Sequence, residues 1–179
     1  MSNETKIIGG IGGLATLVLL IGGVFLLSGN DAKQQQKENK PFIGQKIADM
    51  GTGLHVKRGA EHEPYNSNPP TSGPHWGDGV AGAGIHDNVV PDELLVHSLE
   101  HGAAILWYKA DLPKEQVETL KTIFAEASGK KIMVPRKNLD VPVALTSWNY
   151  LLKLKTIDAK KIKEFIETNN DRAPEKAPI

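Results

Sequence analysis

No cysteine occurs among the 179 residues, and that one absence removes disulfides, thiolate metal sites, a cysteine nucleophile and any cysteine-linked lipid anchor. It leaves the compartment open, since a cysteine-free chain survives on either side of a membrane. A charge surplus is lacking as well: 21 Lys+Arg balance 21 Asp+Glu. A nucleic-acid binder needs excess cation to neutralise phosphates, so no nucleic-acid partner is expected. Nor is there a polybasic segment to hold the chain on anionic lipid. Aromatic residues make up only 6%, which argues against a large core and fits one domain plus an extra segment. P-loop, dinucleotide and EF-hand spacings are all missing. What is present is one long apolar run, a Pro/Gly-rich stretch and an uneven scatter of six histidines.

The apolar run extends from Ile7 to Leu27 without a charge, between Lys6 and the polar Ser28-Gly29-Asn30-Asp31. At 1.5 Å per residue it spans roughly 31 Å, which matches a hydrocarbon core of about 30 Å. Gly9, Gly10, Gly12, Gly13, Gly22 and Gly23 suit a helix in lipid better than one in water. A cleavable signal has a shorter apolar region ending in small residues. Here Phe25, Leu26 and Leu27 keep the end bulky, so residues 7–27 are read as an uncleaved transmembrane anchor behind a tail of residues 1–6. The count of flanking Lys and Arg favours a cytoplasmic C-terminal domain. The very short N-terminal tail before a signal-anchor-like run favours translocation, and an extracytoplasmic domain is the expectation adopted. Gly9 and Gly13 form a GxxxG pair of the kind that packs anchors together, though such pairs arise by chance in Gly-rich runs. Residues 28–40 are polar, lack an apolar period and read as a solvated tether.

A globular domain is expected over residues 41–175, followed by a short tail at 176–179. Residues 59–91 are crowded with Gly, Pro, Asn and Ser, the composition of a long irregular loop. Asp92 to His101 predicts a short helix stopped by Gly102, with Leu95 and Leu99 facing inward. Ala103 to Tyr108 is continuously apolar, as in a strand buried on both faces. Val117, Leu120, Phe124 and Ala127 give the stripe of a helix that Gly129 ends. Ile132–Val134 and Val143–Trp148 predict two more strands. A final helix starts at Asp158 and buries Ile162, Phe165 and Ile166. The tail from Ala173 is Pro-rich and is expected to fray. The expected class is α+β: a small mixed sheet covered by helices, with a long irregular Pro/Gly-rich loop, preceded by one transmembrane helix.

His97-Ser98-Leu99-Glu100-His101 is the densest chemical cluster. Residues four apart share a helix face at roughly 5–6 Å, a workable bite for two imidazoles on one ion. Buried imidazoles without partners cost about 1–3 kcal/mol each, so these two must be metal-bound, hydrogen-bonded or wet. The string also fits the inverted zinc-peptidase pattern H-x-x-E-H, but that motif needs a longer helix, and Gly102 with a strand-like run follows at once. The stretch Asn68-Pro69-Pro70-Thr71-Ser72-Gly73-Pro74-His75-Trp76 is stiffened by three prolines and ends on a histidine and a tryptophan. His62 and Tyr65 lie just upstream. His55 and His86 lack a second histidine at ligand spacing and read as solvent-facing or singly hydrogen-bonded. Met50 and Met133 sit in no Met-rich run and read as core filler.

Together YNSNPPTSGPHW, LLVHSLEHGAAILWY, VALTSW and the late Ala173-Pro174-Glu175 resemble the bacterial domain-of-unknown-function family 3105 over about residues 55–175. The resemblance implies a membrane-tethered domain with one N-terminal anchor and no assigned activity. It departs at His86, where relatives often carry an aromatic, and at Asn149, where Gly often follows the tryptophan. It adds reason to treat His62, His75, His97 and His101 as one constellation without supplying the chemistry; the residues themselves offer them as candidate metal ligands, supported by Glu100, Tyr65 and Trp76. Thiol-free imidazole ligation suits Cu or Zn ions. Three readings stay open: a metal-binding module, a structural or interaction domain, and a metal-assisted hydrolase with Glu100 as base. No catalytic residue is assigned.

Overall fold

The computed structural model describes residues 35–179; the anchor expected at 7–27 lies outside them. Among the described residues no helix is long and apolar enough to cross a membrane. Of the expected tether, residues 35–38 form one helical turn. Residues 42–179 make a compact unit of their own.

That unit is α+β, built on a mixed six-stranded sheet. Its strands are β1 (Gln45–Lys46), β4 (Gly84–Ile85), β5 (Ala104–Lys109), β6 (Lys131–Arg136), β7 (Val143–Ser147) and β8 (Tyr150–Leu154). They lie side by side in the order β1-β8-β7-β5-β6-β4. Strands β5 and β6 run parallel from Ala104↔Lys131 to Lys109↔Arg136. They are joined by helix α2 (Lys114–Glu126), the helix that the apolar stripe predicts. Strand β7 pairs antiparallel with both β5 and β8. The β7–β8 turn holds Asn149 at φ 62°, the left-handed conformation that Gly and Asn adopt most readily.

Strand β5 is buried on both faces because the sheet is covered on both. Ala104, Leu106 and Tyr108 point to a layer formed by Leu120, Ile123 and Phe124 of α2 with Ile162, Phe165 and Ile166 of helix α3 (Ala159–Asn169). Asp158 starts α3 by accepting a hydrogen bond from the Lys161 amide at 3.0 Å. Ile105 and Trp107 point the other way, against Leu95, Val96 and Leu99 of helix α1 (Asp92–Glu100) and Trp148. Each such side chain contributes about 1.5–3 kcal/mol by leaving water. Trp107 also donates its indole N–H to Thr146 Oγ1 at 2.8 Å.

The second face is the one that matters for function. A single nine-residue helix covers it, so the rest is closed by loop. There β2 (His55–Val56) and β3 (His75–Trp76) pair in parallel, His55 opposite His75 and Val56 opposite Trp76. The Pro/Gly-rich stretch between them is irregular, as its composition predicts, and is pinned at several points. Asn68 accepts from Arg136 Nε at 2.6 Å and donates to the Asn138 carbonyl at 2.7 Å. Arg136 also grips Asp92 at the start of α1. Tyr65 donates its hydroxyl to the Pro74 carbonyl at 2.7 Å. Burial pushes the Tyr65 phenol pKa upward, with Glu93 and Asp92 adding to it, so it remains a donor.

Helix α1 ends as Gly102 predicts. Gly102 takes φ 91° while its N–H donates to the Leu99 carbonyl, and the Ala103 N–H donates to the Ser98 carbonyl. This is the reciprocal pair of a left-handed helix stop. A Cβ at 102 would lie 2.9 Å from Asp171 Cα, because the C-terminal tail crosses there. The fraying expected from Ala173 onward is not found: the structure holds the tail down. The Glu175 amide donates to the Glu100 carbonyl at 3.1 Å, and Lys130 Nζ donates to the Ala177 carbonyl at 2.7 Å. Backbone hydrogen bonding across to α1 supplies order that a Pro-rich composition does not signal.

Candidate metal centre

Three chain segments meet at the open side of α1. The helix carries His97 and Glu100, one turn apart on the same face. Strand β3 brings His75 and strand β2 brings His55. One ligand atom from each of these four residues lies within 4.8 Å of every other. His75 and Glu100 are fully buried, and His97 is nearly so.

Hydrogen bonds fix which nitrogen each buried ring offers. His75 donates its Nδ1–H to the Gly73 carbonyl at 2.8 Å, leaving the Nε2 lone pair aimed into the cluster. Burial pushes the His75 pKa down, against the opposing pull of the Gly73 carbonyl and the Glu100 carboxylate, and His97 and His55 lower it further. The ring is therefore neutral. His97 shares its Nδ1–H between the carbonyls of Trp76 and Gly79, both at 2.8 Å, so its Nε2 is likewise free to donate a lone pair. Backbone carbonyls that hold the far nitrogen of an imidazole are the usual support of a metal-bound histidine.

Glu100 is held in the same way. Its Oε1 accepts from the Gly53 amide at 2.6 Å, in the turn that leads into His55. Its Oε2 lies 2.9 Å from His75 Nε2. Yet among the described residues neither of these two buried atoms has a hydrogen-bond partner. At so short a separation the failure is one of direction: the oxygen lies off the axis along which Nε2 would aim a proton. Two lone-pair atoms in contact, dry and misaligned for a shared proton, repel each other unless a cation sits beside both. Adjacent ligands of one ion stand in that relation, since metal bonds of about 2.0–2.2 Å leave neighbouring ligands roughly 3 Å apart.

Of the residues singled out from the sequence, the fold gathers His75, His97 and Glu100. His62 and His101 stand in pairings of their own. His62 donates Nδ1–H to the Glu63 carbonyl at 2.8 Å, and its Nε2 lies 3.5 Å from Glu93. His101 packs edge-on to His97, ring centroids 4.5 Å apart, but its nitrogens face the Pro178 carbonyl at 2.8 Å and Glu175 at 3.2 Å. Tyr65 braces Pro74, next to His75. Trp76 stacks under the Arg58 guanidinium at 4.2 Å. His86 donates to the Gly82 carbonyl and stays out of the cluster.

His55 is the residue that sequence spacing does not single out. Its partner at ligand distance lies 20 residues away, across a two-residue parallel ladder that leaves no periodic trace. The one usable signal is the repeated pattern of a histidine followed by Val or Trp at the two ends of the Pro/Gly-rich stretch.

A family model described as Protein of unknown function (DUF3105) matches residues 55–178. No curated protein and no solved structure matches the chain.

Proposed function

We propose that this chain, which belongs to the DUF3105 family, is a metal-binding domain whose ligands are His55, His75, His97 and Glu100. The observation that carries the reading is the pair Glu100 Oε2 and His75 Nε2, both buried, 2.9 Å apart and, among the described residues, without a hydrogen bond. Three neutral imidazoles and one carboxylate leave one positive charge on a bound divalent ion, a modest burden for a site that opens to solvent at His55. Imidazole-rich ligation without thiolate suits Zn(II) and Cu(II), with Cu(II) the tighter at equal geometry. His62 and His101, expected as ligands from the sequence, are not ligands in this reading and pair with Glu93 and Glu175.

Calorimetric titration of the full chain in mild detergent with Zn(II) and with Cu(II) tests it. One ion per chain is expected, and none in His97→Ala. Absence of binding for both ions in the wild-type chain refutes the metal reading and leaves a structural or interaction domain.

The apolar segment at 7–27 supports placement as a single-pass membrane protein with the domain outside the cytoplasm. Protease added to spheroplasts is expected to remove the domain. Protection until lysis would reverse the orientation.

A further inference from the structure

We infer that the ion is exchangeable cargo rather than a permanent structural part, entering and leaving on the His55 face; this rests on the metal-binding reading above. The four ligands are unequal. Glu100 and His75 are fully buried and His97 is nearly so, whereas the His55 side chain is 48% exposed. The three buried ligands are each locked by backbone groups: the Gly53 amide, the Gly73 carbonyl, and the carbonyls of Trp76 and Gly79. Among the described residues neither ring nitrogen of His55 makes a hydrogen bond, and its Nε2 stands 3.9 Å from Glu100 Oε2. The ring touches its neighbours as one imidazole against others, 4.9 Å from His75 and 5.2 Å from His97 between centroids.

Behind His55 lies a cleft of about 400 Å³ lined by His55, Val56, Lys57, Arg58, Gly77 and Asp78. Gly77 is what lets the ring lie where it does. A Cβ there would come 3.0 Å from His55 Cβ and 3.1 Å from Cγ. A preformed, locked three-ligand seat with one loosely held ligand facing solvent permits stepwise exchange. His55 swings off, an incoming chelator takes its coordination position, and the ion departs while Glu100, His75 and His97 keep their places. A structural ion would instead be released only as the fold opens.

The test loads the full chain, in detergent, with Zn(II) and mixes it with excess chromophoric chelator while circular dichroism follows the fold. Release with the dichroism unchanged is expected. His55→Ala should still load one ion and should release it at least about tenfold faster. Gly77→Ala keeps every ligand but crowds the ring, and should fall between the two. With Co(II) in place of Zn(II), His55→Ala should show a changed d–d spectrum as water replaces the imidazole. Release that keeps step with unfolding, or an unchanged rate in His55→Ala, overturns the inference while leaving metal binding intact. If the wild-type chain takes up no Zn(II) at all, the metal reading fails and this one falls with it.

Discussion

Substituting Glu100 by Gln should have opposite effects in the metal-free and metal-bound protein. Without metal, the wild-type chain buries a carboxylate oxygen against the bare Nε2 of His75 at 2.9 Å. A buried polar group left without a partner costs about 1–3 kcal/mol, more when charged. In Glu100→Gln the amide oxygen keeps the Gly53 amide as its donor. That choice leaves the new NH2 beside His75 Nε2 but off its lone-pair axis, so what changes is the loss of the facing charge. The repulsion is relieved without a new hydrogen bond, so the chelated variant should be more stable by about 1 kcal/mol. For a domain of this size each kcal/mol moves Tm by about 2–4 °C or slightly more. With metal the order reverses, because a neutral amide is a poor ligand. At an ion concentration of 100 times its Kd the wild-type chain gains about 2.7 kcal/mol. A variant weakened about 100-fold gains only about 0.4 kcal/mol at the same concentration. Thermal unfolding in excess chelator and then in excess Zn(II) reads both signs. If chelated Glu100→Gln melts below chelated wild type, the account of Glu100 and His75 as facing lone pairs is wrong.

Burial holds the His75 pKa below its ordinary 6.5, so the folded chain keeps this ring neutral while the unfolded chain takes up a proton near that value. Its stabilising contribution is complete above about 6.5 and drains away as pH falls towards the folded pKa. Melting curves of chelated protein between about pH 8 and pH 5 should show that loss, and His75→Gln should flatten it. Tyr65→Phe removes the hydrogen bond to Pro74 and should cost about 0.5–1.5 kcal/mol in chemical denaturation. Because the His75 ring is held separately by Gly73, metal affinity in that variant should fall by less than about tenfold. Truncation after Arg172 removes Glu175 and the carbonyls of Ala177 and Pro178, so Tm should fall with or without metal. An unchanged Tm would contradict the tail's role as a strap.

The elements with strong apolar periods are legible in the sequence itself. Helices α1, α2 and α3 and strands β5, β6 and β7 lie where Leu95/Leu99, Leu120/Phe124, Ile162/Phe165/Ile166 and the apolar runs place them. Strand β8 is not, because Lys153 breaks its apolar pattern, the sheet margin leaving that side chain free to pair with Asp140 at 2.7 Å. The two-residue strands are too short to carry a period at all. The site is half legible for a related reason. His97 and Glu100 are neighbours through local helix geometry, and His75 is marked by the stiff loop before it. His55 joins them only through tertiary pairing, and the diversion of His62 and His101 depends on Glu93, Glu175 and Pro178, none of which is local in sequence.

The position of the cluster follows from how the sheet is covered. On one face α2 and α3 close a layer made mainly of apolar side chains. On the other, the short α1 leaves a gap that only irregular chain can fill. Irregular chain brings unpaired backbone groups with it, and each needs a partner. The carbonyls of Gly73, Trp76 and Gly79 and the amide of Gly53 are such groups, and they spend their bonding capacity on His75, His97 and Glu100. The loop that could not form sheet therefore fixes two imidazole tautomers and one carboxylate orientation without any further side chain. With those locks in place, one ligand atom from each of the three residues lies within 4.8 Å of the others. A purely structural role would be served as well by rings that bonded each other, which is why the unbonded contact between Glu100 and His75 weighs against it. Swapping the ligands while keeping the locks separates the two roles. His97→Asn places an amide N–H where the Nδ1–H stood and can still donate to the Trp76 and Gly79 carbonyls, so the chelated chain should lose no more than about 1–2 kcal/mol. Stabilisation by Zn(II) should nevertheless vanish. If instead Zn(II) raises Tm in His97→Asn as much as in the wild type, the ion does not bind at this cluster.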